Sequence, residues 1–385
     1  METLYSMTDL ELRRLEALER FRAGGLTQAE VAAQLRISVR QVKRLWRRYR
    51  QAGPLGLRSG HRGRPSNRRL DPDLLAKAIE LVARHYPDFG PTFAAEKLAE
   101  RHELHVGRET LRKAMIEAGL HWTQPRRRPR VHQPRERRPC FGELVQGDGS
   151  PHAWFETRAP RCTLLLFVDD ATGKIVAARF EPTETTRGYF ALCRQHLERH
   201  GKPIAYYVDK SVIFHGNACA SKAEPSQFAR AMKELSIELI CANSPQAKGR
   251  VERLNGTLQQ RLTKELRLRE ISSIEAANAY LPEFVESYNA RFGVEARSLA
   301  DAHRPLTGRD DLNGVLCHVE TRIISRNLTV IYQQQLLRII APERQRRLRF
   351  QKVLVREMRH GLVIEHHGER LAFEQGPRLP KPPIV

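Results

Sequence analysis

The chain has 385 residues, with 66 Lys and Arg against 44 Asp and Glu, a formal net charge of +22. A field of that sign attracts polyanions, nucleic acid being the usual one, and the length suits a catalytic domain flanked by smaller modules. No apolar run nears the roughly 18 residues of a membrane span, no charged-then-apolar leader opens the chain, and the six cysteines form no C-x-x-C pair, which excludes membrane, disulfide-scaffold and zinc-module readings.

The first segment, 1–58, reads as a helix-turn-helix. Thr27 opens a Thr-x-x-Glu capping box with Glu30, and Ser38 opens a Ser-x-x-Gln box with Gln41. Val31, Leu35, Ile37, Val42 and Leu45 take the spacing of two short helices around one core. The second helix then exposes Arg40, Lys43, Arg44, Arg47 and Arg48, as a recognition helix does toward bases and phosphates in a major groove. A basic linker follows at 59–70. Its Arg62-Gly63-Arg64-Pro65 matches the core of an AT-hook, which would lay Arg62 and Arg64 in a narrow minor groove; a plain linker touching phosphates is the alternative.

Residues 71–122 read as a second helical unit. Leu74, Leu75, Ile79 and Val82 form one amphipathic helix, Gly90-Pro91-Thr92 opens another, and Arg108–Met115 forms a third. The unit resembles a second helix-turn-helix, with a generic three-helix package as the alternative. Residues 123–139 are a tether. Seven arginines fall in the thirteen residues Arg126–Arg138, between prolines that forbid a helix and with a charge that forbids a core. Arg126, Arg127 and Arg128 are expected on DNA phosphates.

From 140 to 305 the pattern turns to strands and helices. Glu143–Asp148, Cys162–Val168 and Ile175–Phe180 read as an antiparallel meander, with the turn Ala171-Thr172-Gly173 between the last two. A helix over about 186–200 leads to a strand ending at Asp209, a helix capped by Ser226, the strand Glu238–Cys241 and a long helix through Glu252, Leu254, Leu258, Leu262 and Leu266. Three hairpin-linked strands followed by alternating helix and strand make a ribonuclease-H-like α/β arrangement. The last segment, 315–375, alternates short strands (322–324, 328–331, 336–340, 352–356 and 361–365), the spacing of a small β-barrel with a basic loop. The tail from Pro377 is expected to be loose. The fold class is therefore multidomain α+β.

Three acidic residues carry the chemistry. Asp148 sits at the end of one strand, Asp209 ends another, and Glu252 rides the helix after the fifth. Carboxylates so placed can converge on two Mg²⁺ or Mn²⁺ ions, which stabilise the attacking and leaving oxygens of a phosphoryl displacement. Lys248 and Arg250, at the mouth of the Glu252 helix, suit phosphates because a helix N-terminus favours anions. Asn243 and Gln246 are further candidate donors to DNA. Asp169 and Asp170 precede a turn, where Asp caps backbone. His152 and Trp154 could line the site or pack, and Tyr288–Phe292 reads as packing.

The strings Gln146-Gly147-Asp148-Gly149-Ser150-Pro151-His152, Val168-Asp169-Asp170-Ala171-Thr172-Gly173, Tyr207-Val208-Asp209-Lys210-Ser211 and Ser244-Pro245-Gln246-Ala247-Lys248-Gly249-Arg250-Val251-Glu252-Arg253 resemble the DDE transposases of bacterial insertion sequences, closest to the ISNCY type, in the integrase-core superfamily. The resemblance runs from the first helix-turn-helix to about residue 305. It implies that Asp148, Asp209 and Glu252 are the catalytic, metal-binding triad, that two divalent ions serve as cofactors, and that the partners are double-stranded DNA at element ends and target. It also implies a homo-oligomer without membrane contact, in the bacterial cytoplasm on the nucleoid. The 42 residues between Asp209 and Glu252 are more than related groups commonly have, the surplus falling at Gly216–Pro225. Two rival functions share these features: a catalytically silent DNA-binding regulator derived from a transposase, and a nuclease that cuts without joining.

The tether has a measurable signature. Each phosphate neutralised on B-DNA steepens the fall of log K with log salt by about 0.9. Replacing Arg126, Arg127, Arg128 and Arg130 with Ala should therefore flatten that slope by up to about 3–4 units. Sequence preference should hardly move, and anisotropy titrations giving an unchanged slope would sink the tether reading.

Overall fold

The computed structural model describes residues 6–60, 70–121, 136–215, 225–242, 249–341, 345–358 and 360–378. Two compact units emerge, residues 1–127 and 128–385. In the first, α1 (Asp9–Arg22), α2 (Gln28–Leu35) and α3 (Val39–Ala52) close on a core of Leu18, Val31, Val42, Leu45, Tyr49 and Leu57. Thr8 and Thr27 each form a full capping box, with Glu11 and Glu30, while Ser38 caps α3 through the Gln41 amide at 3.3 Å. The α2–α3 turn is made by Arg36 in the left-handed conformation (φ 53°). A single 3-10 turn, Gly53–Leu57, folds back on α3, and a Cβ on Gly56 would stand 2.2 Å from the Arg48 carbonyl oxygen, so only glycine fits there.

Three further helices follow in the same unit, α4 (Pro72–His85), α5 (Pro91–His102) and α6 (Arg108–Glu117). Proline at the first helical position of α4 and α5 supplies a preset φ where no N–H is needed. Val82, Tyr86, Phe93, Leu98, Leu111 and Met115 are buried. Glu103 ends α5 in the left-handed conformation (φ 54°), as Arg36 ends α2.

The second unit is built on a five-stranded sheet. β1 (Leu144–His152), β2 (Cys162–Asp169) and β3 (Ile175–Glu181) are antiparallel, and α7 (Thr186–His200) then leads to β4 (Ala205–Val208), parallel to β1. The short α8 (Val212–His215) and α9 (Gln227–Glu234) precede β5 (Glu238–Cys241), parallel to β4, giving the order β3-β2-β1-β4-β5. This is the expected ribonuclease-H-like topology. Because β2 is buried on both faces, its alternate residues serve different layers. Leu165 and Phe167 face the α7 and α9 side, while Leu164, Leu166 and Val168 meet α10 (Gly249–Leu268) and α11 (Ile274–Phe292). Helix α11 also covers the edge of β3: the Asn278 amide bonds both backbone groups of Phe180, and the Asn289 amide both of Ile175, at 2.7–3.0 Å. An edge strand so covered cannot recruit another chain.

After the short α12 (Leu312–Val315), the described residues of the C-terminal segment form seven strands rather than five: β6 (His318–Ile323), β7 (Thr329–Tyr332), β8 (Gln335–Ile339), β9 (Lys352–Met358), β10 (Gly361–His366), β11 (Glu369–Leu371) and β12 (Phe373–Arg378), with α13 (Gln345–Leu348) before β9. The ladders make two sheets, β11-β10-β9-β6 and β12-β8-β7, sharing a core of Val330, Tyr332, Leu337, Ile339, Val353 and Val355. The tail expected to be loose from Pro377 is strand as far as Arg378. The irregularity between Gln375 and Arg378, on an edge strand, is where a residue without an N–H is tolerated. This β unit is pinned to α9. The Gln227 side chain bonds both Val319 backbone groups at 2.8 and 2.9 Å, and Arg230 donates to the carbonyls of Val315 and Cys317.

The segment between α11 and α12 bridges to Phe141 and Lys202, and a relay that is buried except at its Asp301 end holds it. His303 Nδ1 lies 2.7 Å from Asp301, His303 Nε2 lies 3.1 Å from His196 Nε2, His196 Nδ1 lies 2.6 Å from the Tyr206 hydroxyl, and Cys193 Sγ lies 3.7 Å from that hydroxyl. With neutral rings one proton order satisfies every atom. His303 donates to Asp301, His196 to His303, Tyr206 to His196 and Cys193 to Tyr206. Burial first, and then the neighbouring histidines, hold His196 well below the usual histidine range and lower His200 to about 4.

The sign of the pH effect follows. Below the unfolded histidine value of about 6.5 the unfolded chain takes protons that folded His196 and His200 refuse, so stability drains as pH falls through that point. Urea midpoints at pH 7.5, 6 and 5 should drop more steeply for the natural chain than for His196→Gln. Parallel losses would show that the relay does not titrate.

Candidate active site

Asp148 and Asp209 are brought together by register. Gln146 pairs with Tyr207 across the parallel β1–β4 ladder, and the two aspartates follow two residues further along each strand. Side chains in register on neighbouring strands leave the sheet on the same face. Both carboxylates are half-buried. Asp209 Oδ1 accepts the Ser211 amide at 2.9 Å, the local turn a strand-ending Asp makes. The other face of β1 admits no side chain at two positions: a Cβ on Gly147 would lie 2.9 Å from Phe167 Cε1, and one on Gly149 2.8 Å from Glu184 Cδ.

Glu252 comes from the first turn of α10, with its side chain exposed. That helix is laid along β1 by polar links to alternate strand residues. Asn255 Nδ2 donates to Asp148 Oδ2 at 2.7 Å, and Gln259 Nε2 donates to Ser150 Oγ at 3.0 Å. Gln146 Nε2 donates at 2.7 Å to Asp170, whose same oxygen takes the Arg250 guanidinium. Residues three apart are neighbours on a helix surface. The Asn255–Asp148 bond therefore ties to Asp148 the residue one helical turn on from Glu252. Asn255 and Gln259 escaped the sequence reading, although a polar pair one turn apart beside Glu252 in a leucine-spaced helix was the available signal.

The field at this end of the sheet is negative. Glu184, also unforeseen, accepts the Tyr189 hydroxyl at 2.6 Å. Burial first, then Glu184, Asp148 and Asp209, push the Tyr189 phenol well above its ordinary value. Burial and then Asp209 raise the Cys241 thiol. Hard carboxylate oxygens in such a field fit a divalent cation. Among the described residues, the buried amide oxygens Gln146 Oε1 and Asn255 Oδ1, flanking Asp148, have no hydrogen-bond partner. Among those residues, too, no three His, Cys, Asp or Glu side chains are drawn close enough to cage an ion.

The other candidate residues separate cleanly. Asp169 caps its turn as expected, accepting from Thr172 N and Oγ1 and from Gly142 N at 2.7–2.9 Å. Asp170 does not; it is the partner of Arg250, so the guanidinium expected on phosphate is held by a buried carboxylate. Trp154 is fully buried with its indole N–H on the Ser150 carbonyl, and His152 stands edge-on against it, so both pack. On α3, Arg40, Lys43, Arg44 and Arg47 are all exposed while Val42, Leu45 and Tyr49 face inward. Arg62, Arg64, Arg126, Arg127, Arg128, Asn243, Gln246 and Lys248 lie outside the described residues, as does most of Gly216–Pro225. Cys140, Cys162, Cys193, Cys241 and Cys317 are free thiols, and no described helix is long and apolar enough to cross a membrane.

A helix-turn-helix domain model matches residues 13–66 and a homeodomain-like domain model residues 41–115. A Sinorhizobium fredii protein described as a transposase, y4bF, is 45% identical over 335 residues, covering 86% of this chain and 73% of its own length. The transposase for insertion sequence IS1202 of Streptococcus pneumoniae is 30% identical over 364 residues, covering 84% of this chain and 77% of its own. Solved structures with some likeness include the HTLV-2 integrase catalytic core domain in complex with magnesium, 19% identical with a TM-score of 0.31 over 39% of this chain and 86% of that one. Another is the simian T-cell lymphotropic virus intasome in complex with PP2A regulatory subunit B56 gamma, 17% identical with a TM-score of 0.34 over 64% and 82%. On the identity and coverage of its sequence relatives, the chain belongs to the transposases of bacterial insertion sequences.

Proposed function

We propose that Asp148, Asp209 and Glu252 are the catalytic triad of this transposase and would hold two divalent cations, Mg²⁺ or Mn²⁺. The observation that carries the reading is the Asn255–Asp148 hydrogen bond, which ties the helix of Glu252 to the strand of Asp148. When bound, such an ion pair supplies charge stabilisation at the attacking and leaving oxygens of an in-line phosphoryl displacement. The protein would present one oxygen donor from the middle of β1, one from the residue that follows β4, and a third from a helix docked on β1. Asp148, Asp209 and Glu252 would supply the carboxylate oxygens that hold the ions. In cleavage a water oxygen bonds to phosphorus as the bond to the element's 3′ oxygen breaks. In joining, that 3′-hydroxyl attacks target DNA at the same site. Two element ends require two such sites, hence a homo-oligomer on double-stranded DNA.

The domain plan assigned to this function is 1–58 and 71–122 for recognition, 59–70 and 123–139 as basic connectors, 140–305 for catalysis and 315–375 as the β unit. Lys248 at the mouth of α10 would contact phosphates, as would Arg62 and Arg64.

Asp148→Asn, Asp209→Asn and Glu252→Gln each keep shape and lose the charge a cation needs. Each should abolish Mg²⁺-dependent nicking and joining of an end-bearing duplex while DNA binding persists. Near-normal nicking by any one of them removes that residue from the triad.

Because residues 1–127 form a unit of their own, a fragment covering 1–122 should bind the element's end without the catalytic unit. Good base contacts discriminate by about 1–3 kcal/mol each, whereas phosphate contacts only position. The triple change Arg40→Ala, Lys43→Ala and Arg44→Ala should thus weaken specific binding more than binding to random duplex. Equal losses would show that α3 is not the reader.

A further inference from the structure

We propose that Asp170 is a positioning residue for the reaction: through Arg250 it seats the first turn of α10 and so fixes where Glu252 stands relative to Asp148. The inference rests on the role of Glu252 argued above, and it assigns work to a buried acid that the turn does not need. Asp169 alone satisfies the turn, taking Thr172 and Gly142. The Asp170 side chain is 0% exposed and accepts from three separate segments. These are Gln146 Nε2 on β1 at 2.7 Å, the Arg138 backbone amide at 2.9 Å, and the Arg250 guanidinium on α10. A buried carboxylate is costly unless paired and hydrogen-bonded, so this convergence has a structural demand behind it.

Arg250 is also in an unfavourable place for a cation. It is the second residue of α10, where the helix dipole presents its positive end. A basic side chain held there needs an anion nearby, and Asp170 is that anion. Two residues on comes Glu252. From Val251 and Leu254 onward the helix is held by apolar packing, so the fold survives without the seat. In the first turn only Val251 is buried: Arg250 is partly exposed, and Glu252 and Arg253 are exposed. Removing the charge at Asp170 therefore loosens the turn that carries Glu252 and leaves the rest of α10 in place.

The test uses the full-length protein. Asp170→Asn keeps the shape and removes the charge. Hydrogen exchange in residues 249–255 should accelerate on the order of tenfold to a hundredfold, the range a bond to a charged group carries, while 258–268 and β1 are unchanged. Nicking should fall, and the Mn²⁺ concentration for half-maximal nicking should rise. Arg250→Met should reproduce both effects, and serves alone if Asp170→Asn does not fold. The double variant should be no worse than either single one, while Arg250→Lys should retain most of the protection. Unchanged exchange at 249–255 in both single variants, or effects that multiply in the double one, would overturn the proposal. Glu252→Gln separates the two readings: it should abolish nicking without altering exchange, and if it nicks normally the role of Glu252 fails while the exchange data still judge the seat.

Discussion

Strand β1 is the constraint on which the catalytic unit turns. It is central in the sheet and covered on both faces, so each of its side chains must satisfy one layer or the other. On one face stand Val145, Gly147 and Gly149, which let Phe167 and Glu184 come close. On the other stand Gln146, Asp148 and Ser150, three polar groups in a place where polar groups need partners. Helix α10 provides them through Asn255 and Gln259 directly and Arg250 by way of Asp170. Apolar packing of Leu254, Leu258, Leu262 and Leu266 could tolerate a slide or rotation of the helix. The polar ladder could not, since a slide would leave buried groups unpaired at roughly 1–3 kcal/mol each. The helix is thus docked in the register that sets Asn255, one turn on from Glu252, against Asp148.

The electrostatics of the protein run in two directions. Overall it is strongly cationic, as a protein that must hold a polyanion should be. Around Asp148 on β1 and the end of β4 the sign reverses, and the buried Tyr189 and half-buried Cys241 are both shifted by it. A site that handles phosphodiesters through divalent cations needs both: positive surface to retain DNA, and a local excess of carboxylate to attract the ions.

Buried polar links also fasten the elements around the core. The relay from Asp301 to Cys193 holds the crossing segment, and the side chains of Gln227 and Arg230 join the β unit to α9 through backbone groups. Such contacts depend little on what the β unit exposes, so its surface can vary while its attachment stays fixed.

The sequence by itself determined the helix-turn-helix, the strand order of the core and the places of Asp148, Asp209 and Glu252, because these depend on local patterns. Capping signals at Thr27 and Ser38, the apolar run of β2 and leucine spacing in α10 each lie within a few residues of one another. Tertiary structure alone decided what Arg250 does, since its partner Asp170 is 80 residues away and was read as a turn residue. It decided likewise on Asn255 and Glu184, whose neighbours come from other elements, and on β11 and β12, whose short polar segments become strands only by pairing with β10 and β8. Long-range pairing of charged and amide groups leaves no period in a chain, and only folding brings the partners together.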